Sequence, residues 1–221
     1  MRKGIVACVG MIVGLVLLIV SFLGPWYLVN ADGVLGGQYS MELFLTRLDF
    51  QGNFGDQDLS MSVDYETAKT RMQSTDVNIE SFATIETAMY MMVFAMVTAV
   101  VSSVCMAVFV FSKVKPTMMK LLGGLFAILT FLLTIVPAVY FMNSEFVEDS
   151  SGFWFRYSAF GMTLAGGPGY AWYLVIVVAI IAVICAAAIL IKKITPEVTV
   201  EQVVPPTSNM DESVGLNNRN E

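Results

Sequence analysis

The sequence of 221 residues contains no histidine and little charge, since Asp, Glu, Lys and Arg together make up only 14% of it. A soluble domain carries charge on about a quarter of its residues. The missing histidine excludes the common catalytic triads and most transition-metal sites, because imidazole is the usual base and ligand there. We therefore expect a protein that is not an enzyme and that carries no metal and no cofactor.

Cysteine is also scarce, and all three cysteines (Cys8, Cys105 and Cys185) lie within long apolar runs. The polar segments between those runs contain none. A disulfide framework is thus excluded for these segments, although extracellular domains commonly have one.

Hydrophobic residues make up 57% of the chain, and four runs of it lack any charge: residues 5–29, 88–112, 121–143 and 171–191. A hydrocarbon core about 30 Å thick requires about 20 helical residues, and each run is long enough. The sequence therefore predicts a four-span domain in the lipid bilayer over residues 1–193, with helices at about 5–29, 85–112, 118–143 and 170–192. The first run could instead be a cleaved secretory signal, since Arg2 and Lys3 precede it. Its length and the poor cleavage site at residues 29–31 favour an uncleaved helix.

The positions of lysine and arginine predict the orientation of these helices. Seven of these residues adjoin helix ends on one side of the predicted bundle, at positions 2, 3, 113, 115, 120, 192 and 193. Because cytoplasmic loops carry the excess of positive charge, we expect a multi-pass plasma-membrane protein with both termini in the cytoplasm. Outer loops then cover about residues 30–84 and 144–169. The composition of residues 194–221, rich in Pro, Asn, Ser and Glu, predicts a disordered cytoplasmic tail.

Alternating apolar residues predict strands in the first outer loop. Tyr39, Met41 and Leu43 alternate with polar residues, and a second alternating run covers residues 59–65. A glycine-containing turn lies between the two runs, which favours a hairpin. The alternation changes phase at Leu48, which suggests a β-bulge or a register break before that turn.

The second outer loop predicts one further strand, over residues 152–160, that pairs with the same sheet. Its aromatic side chains Phe153, Phe155 and Tyr157 are expected to pack on the helix ends, and residues 166–169 are expected to form a turn. The predicted fold is therefore an all-α four-helix transmembrane bundle with a small extracellular antiparallel β-sheet built from both outer loops. The acidic outer loops argue against nucleic acid as a partner.

Two patterns within the helices carry information on packing. Small residues recur at a spacing of four, which allows close helix approach in lipid, at Gly10, Gly14, Ala95, Ala99, Ser103 and Ala107. Packing within the bundle is favoured over self-association or binding of another membrane protein. Hydroxyl side chains at residues 98, 102, 103, 130 and 134 are expected to bond helix carbonyls, and the lack of ionisable groups in the runs argues against transport.

Aromatic residues mark the helix ends. Because tryptophan and tyrosine favour the headgroup region, we expect an interfacial belt formed by Trp26, Tyr27, Tyr170, Trp172 and Tyr173. Trp154 and Arg156 are predicted on the other face of the second-loop strand. If Trp154 is exposed, that face is the expected contact for a partner.

The four spans, the long β-patterned first loop and the shorter second loop resemble the claudin-like tetraspan proteins. That group includes claudins, peripheral myelin protein 22 and auxiliary gamma subunits of channels. Trp26, after Pro25, looks like the tryptophan that these proteins keep after helix one. Their Gly-Leu-Trp motif and two disulfide-bonded cysteines are missing here, so the resemblance is one of architecture over residues 1–193.

The segment that leads into helix four, GGPGYAWYL, also looks like that of small, uncharacterised four-span membrane proteins of prokaryotes. We expect a structural, adhesive or assembly role that acts through the extracellular sheet or the helix faces. The alternative is an auxiliary subunit of a separate channel, transporter or membrane enzyme.

Overall fold

The structure is a computed structural model and describes residues 2–34, 37–54, 57–73, 80–112, 116–143 and 153–191. The described helices are α1 (Arg2–Leu23), α2 (Tyr65–Gln73), α3 (Glu80–Phe111), α4 (Pro116–Met142) and α5 (Tyr170–Leu190). The described strands are β1 (Tyr27–Val34), β2 (Gly37–Leu43), β3 (Arg47–Phe54), β4 (Gln57–Asp64), β5 (Phe155–Ala159) and β6 (Met162–Pro168). The predicted tail lies outside the described residues.

Four helices, α1, α3, α4 and α5, are long and apolar enough to cross a membrane. α3 packs against α1 and α4, and α5 packs against the same two helices, so the four form a bundle.

The predicted end of the first helix, residue 29, is wrong. α1 ends at Leu23, because Pro25 has no N–H to donate and disfavours helical geometry in the residue before it. α3 begins at Glu80, five residues before its predicted start.

The six strands form one antiparallel sheet in the order β4-β3-β2-β1-β6-β5, so both predicted outer loops contribute to it. The phase change before Leu48 is the turn between β2 and β3, where the Phe44 N–H donates to the Arg47 carbonyl over 3.0 Å. The predicted bulge is therefore wrong. The two alternating runs are also not neighbours, since β3 lies between β2 and β4.

Two other predicted loops have regular structure. Residues 166–168 belong to β6 and pair with β1, so they are not the predicted turn, and only Gly169 connects β6 to α5. Within the predicted first outer loop, Tyr65–Gln73 forms α2 directly after β4. Asp64 caps this helix, because its carboxylate accepts hydrogen bonds from the Thr67 N–H (2.8 Å) and the Thr67 hydroxyl (2.9 Å).

The hydroxyl groups predicted to bond helix carbonyls do so. Thr134 donates to the Thr130 carbonyl, Thr130 donates to the Phe126 carbonyl, and Ser102 reaches across from α3 to the Gly123 carbonyl of α4 over 2.8 Å. These bonds satisfy buried polar groups and hold α3 against α4.

Candidate interaction surface

The strand register separates the side chains of the sheet onto two faces. Residues directly opposite each other in neighbouring antiparallel strands lie on the same face, and successive residues alternate between faces. One row runs from β6 to β4 through Gly166, Val29, Met41, Phe50 and Met61. The face that contains this row is apolar, and we call it the apolar face.

The opposite face, which we call the charged face, holds every charged side chain of the six strands: Asp32, Glu42, Arg47, Asp49, Asp58, Asp64 and Arg156. Five carboxylates stand against two guanidinium groups there, so this face is acidic. Such a surface attracts cationic partners and repels anionic ones.

Side-chain hydrogen bonds order the charged face across strands. The Arg47 Nε lies 3.0 Å from an Asp49 carboxylate oxygen, and the Ser62 hydroxyl of β4 donates to the same carboxylate. Asn53 of β3 donates to Asp58 of β4 over 3.0 Å. These exposed contacts contribute little to stability, but they fix where the carboxylates stand.

A cavity of about 500 Å³ opens over strands β1 to β4 and is lined mainly by charged-face side chains, among them Asn30, Asp32, Gln38, Gln51, Asn53 and Asp58. Amide and carboxylate groups in this arrangement accept and donate hydrogen bonds to a polar partner. Among the described residues, no three His, Cys, Asp or Glu side chains are placed to hold a metal ion.

β4 is the outer edge of the sheet beside this cavity. It pairs with β3 through eight consecutive residues without a bulge, and nearly all of its side chains are exposed. Its sequence, QDLSMSVD, has neither the proline nor the lysine with which many edge strands prevent further pairing. An extended segment of another chain can therefore add to this edge.

Aromatic side chains fix the sheet to the helix ends. The Trp26 and Phe141 rings meet edge-on with centroids 5.6 Å apart, and Phe153 lies 5.8 Å from Tyr27 and 5.1 Å from Trp172. The indole N–H of Trp26 donates to the Ser21 carbonyl, and that of Trp172 donates to the Ala138 carbonyl.

Trp26 and Tyr27 do not belong to the predicted interfacial belt. Both are 0% exposed and belong to the core between the bundle and the sheet, because β1 starts at Tyr27, where the first helix was expected to continue. Trp172 is partly buried, whereas Tyr170 and Tyr173 are about half exposed.

Trp154 and Arg156, the predicted contact pair, are both exposed, and a Cβ on Gly167 of the charged face would lie 3.2 Å from the Trp154 ring. Trp154 is 56% exposed but precedes β5, and its ring contacts Phe153 at 4.7 Å while its N–H points to the Tyr173 hydroxyl. Arg156 is exposed on the charged face. Tyr157, expected to pack on the helices, is 65% exposed.

The small residues of the helices face the bundle interior. A Cβ on Gly10 would lie 2.6 Å from the Cys185 Sγ of α5, and Ala95, Ala99 and Ser103 of α3 are buried. Gly14 faces Ile181 and Val178 of α5, while Ala107 packs against the same core. These contacts lie within one chain, as the interpretation of bundle packing predicts.

Several charged-face residues were missed at the sequence level. Asn30 and Asp32 lie on β1, which the sequence pattern placed at the end of the first helix and in a loop. The alternation of Val29 and Ala31 with Asn30 and Asp32 was the available signal, but the adjoining apolar run concealed it.

No protein family matches the sequence, and no curated protein matches it.

Proposed function

We propose that this chain is a non-catalytic multi-pass protein of the plasma membrane that acts in assembly or adhesion through its sheet. The observation that carries the proposal is the placement of all charged strand residues on one face of a sheet that aromatic contacts fix to the helix ends. A face of this kind is presented in one orientation, which lowers the entropic cost of binding.

The proposed orientation places the sheet outside the cell and both termini in the cytoplasm. Lys120 lies in the first turns of α4, whose opposite end packs on Trp26 through Phe141 beside the sheet. The positive-inside rule supports this arrangement, because the sheet itself is acidic.

The partner that fits the charged face is a protein with a basic, extended segment. Five carboxylates supply the electrostatic attraction, and the open edge of β4 supplies backbone groups for an added strand. The acidity of the same face disfavours nucleic acid.

A second candidate function is an auxiliary subunit of a separate channel, transporter or membrane enzyme. The buried hydroxyls of α3 and α4 favour it over transport by the chain itself, since they bond helix carbonyls and one another. The architectural resemblance to claudin-like proteins is compatible with both candidates.

Affinity purification of the full chain from native membranes tests the proposal. We expect one stoichiometric envelope protein to co-purify, and the double variant Asp32→Arg/Asp58→Arg to lose it, because the charged face then carries four more positive units. The control is Glu66→Arg, which reverses an exposed charge on α2, outside the sheet.

The outcomes separate the candidates. A partner that spans the membrane as a channel, transporter or enzyme supports the auxiliary role, and an adhesive or structural partner supports the leading one. Retention of the partner by the double variant contradicts a role for the charged face.

A further inference from the structure

The apolar face of the sheet continues beyond the region that packs on the helices. Near the bundle, Tyr27 and Leu43 are fully buried and Leu48 is partly buried. Farther along the strands the same face is exposed. We call this exposed part, with the adjoining turn, the apolar overhang; it comprises Leu59, Met61, Tyr157, Phe160, Met162 and Leu164.

Short connections join the sheet, and with it the apolar overhang, to the helices. Gly169 alone separates β6 from α5, and its N–H donates to the Trp26 carbonyl over 2.8 Å. A Cβ on Gly169 would lie 2.1 Å from the Pro25 carbonyl oxygen, so the two connections between helices and sheet are in close contact. β6 places seven residues, or about 23 Å of strand, between Gly169 and the β5–β6 turn.

The tip residue Phe160 has no structural reason to be an aromatic. Its φ is 52° and that of Gly161 is 77°, so both central turn positions have the left-handed geometry that favours Asn-Gly. The side chain is 98% exposed. Unfavourable backbone geometry at an exposed aromatic is typical of a residue that contacts something outside the chain.

Two classes of occupant are chemically possible: a protein and a lipid surface. The apolar overhang carries no charged side chain, since all seven charged strand residues are on the opposite face. Protein interfaces carry a polar rim and about one hydrogen bond per 100–200 Å². A bilayer requires no such partners, and tyrosine and phenylalanine suit its interfacial region.

We propose that the apolar overhang rests on the outer surface of the bilayer, with Phe160 inserted among the lipid headgroups and the charged face turned towards water. The inference rests on the proposed membrane placement of the four helices. The face that meets the helix ends is the same face that carries the apolar overhang, so a sheet tilted towards the membrane covers it with lipid.

Fluorescence quenching by lipid tests the inference. The full chain, with Cys8, Cys105 and Cys185 replaced by Ala, receives a single cysteine with an environment-sensitive dye and is reconstituted into phosphatidylcholine vesicles containing a spin-labelled phosphatidylcholine. We expect quenching at Phe160→Cys and Leu59→Cys. The matched controls Ser158→Cys and Ser60→Cys lie on the charged face within the same strands and should remain unquenched.

A substitution at Phe160 measures how much this side chain contributes to the docking of the sheet on the bilayer. With the dye on Leu59→Cys, Phe160→Asp should reduce the docking equilibrium by about tenfold or more, because burying a phenylalanine side chain contributes a free energy of that order. Ser158→Asp adds the same charge on the charged face and should leave the quenching unchanged.

A probe within a helix separates failure of this inference from failure of the proposed membrane placement. Val177→Cys lies on the outside of α5 and is quenched if the helix spans the bilayer. Quenching at residue 177 without quenching at residues 59 and 160 overturns only the docking of the sheet. Crosslinking between two chains through residue 160, without lipid quenching there, also overturns it and assigns the surface to a second copy.

Discussion

At the scale of single residues, the contacts of α1 with α5 show how closely the bundle is packed. Gly10 and Gly14 share one sequence motif but face different surroundings. A Cβ on Gly10 would lie 2.6 Å from the Cys185 Sγ, whereas a Cβ on Gly14 would lie 3.6 Å from its nearest neighbour, a methyl carbon of Ile181. Only Gly10 is therefore required for close approach of the helices.

We expect Gly10→Ala to destabilise the protein by about 1–3 kcal/mol through overpacking. Gly14→Ala serves as the matched control and should stabilise it by up to about 1 kcal/mol, since alanine is the better helix former. Thermal unfolding in detergent measures both. Because Cys185→Ala removes the clashing sulfur, it should restore most of the stability of the Gly10→Ala variant. If Gly10→Ala lowers the stability equally with and without Cys185→Ala, the assigned contact is contradicted.

At the scale of elements, the sheet contains two turns whose chemistry decides local structure. Asp64 ends β4 and begins α2, and its hydrogen bonds from Thr67 lower the pKa of its carboxyl below the usual value of 3.8. In the β5–β6 turn the residue does not suit its position, because Phe160 has a positive φ, which is unfavourable for an aromatic residue.

The cap at Asp64 predicts a pH dependence. A carboxyl with a lowered pKa in the folded state adds stability that is present above pH 3.8 and is lost as the pH falls through the lowered value. At pH 7, Asp64→Ala should therefore lower the melting temperature. The melting curves of the variant and the parent should converge at pH values below 3.8, and a constant difference across this range would argue against the cap.

The β5–β6 turn predicts a stabilising substitution. In detergent, Phe160→Asn should raise stability by about 1 kcal/mol, since asparagine tolerates the left-handed geometry that costs other residues about 1–2 kcal/mol. Gly161→Ala is the control and should destabilise the turn by its backbone geometry alone, because a Cβ there would meet no atom within 4 Å. Melting temperatures of the purified variants check both, and an unchanged or lower value for Phe160→Asn would count against the turn geometry.

At the scale of the whole molecule, the charged sheet and Lys120 lie at opposite ends of the bundle. The sheet adjoins the end of α1 and the start of α5, whereas Lys120 lies in the first turns of α4. This separation is the basis for placing the sheet outside the cell.

Cysteine labelling tests this placement. In the background lacking native cysteines, Ser60→Cys on the exposed edge strand should react with a membrane-impermeant maleimide in intact cells. Lys120→Cys should react only after the membrane is permeabilised. Labelling of Lys120→Cys alone in intact cells would reverse the proposed orientation and place the sheet in the cytoplasm.

The sequence by itself determined the four long helices and three of the six described strands. Long charge-free runs can be buried only in a membrane or a large core, and alternating residues such as Tyr39, Met41 and Leu43 match the two-residue period of a strand. These patterns depend on local chemistry. They are therefore visible without knowledge of which segments meet in the fold.

The tertiary structure decided which residues share a surface. The sequence could not show that β3 separates β2 from β4, because pairing depends on turns and on contacts far apart in the chain. It also could not show that Trp26 is buried by Phe141, more than 100 positions away, instead of facing lipid. The division into a charged and an apolar face exists only once the six strands are in register, since each strand alone contributes too few charges to reveal it.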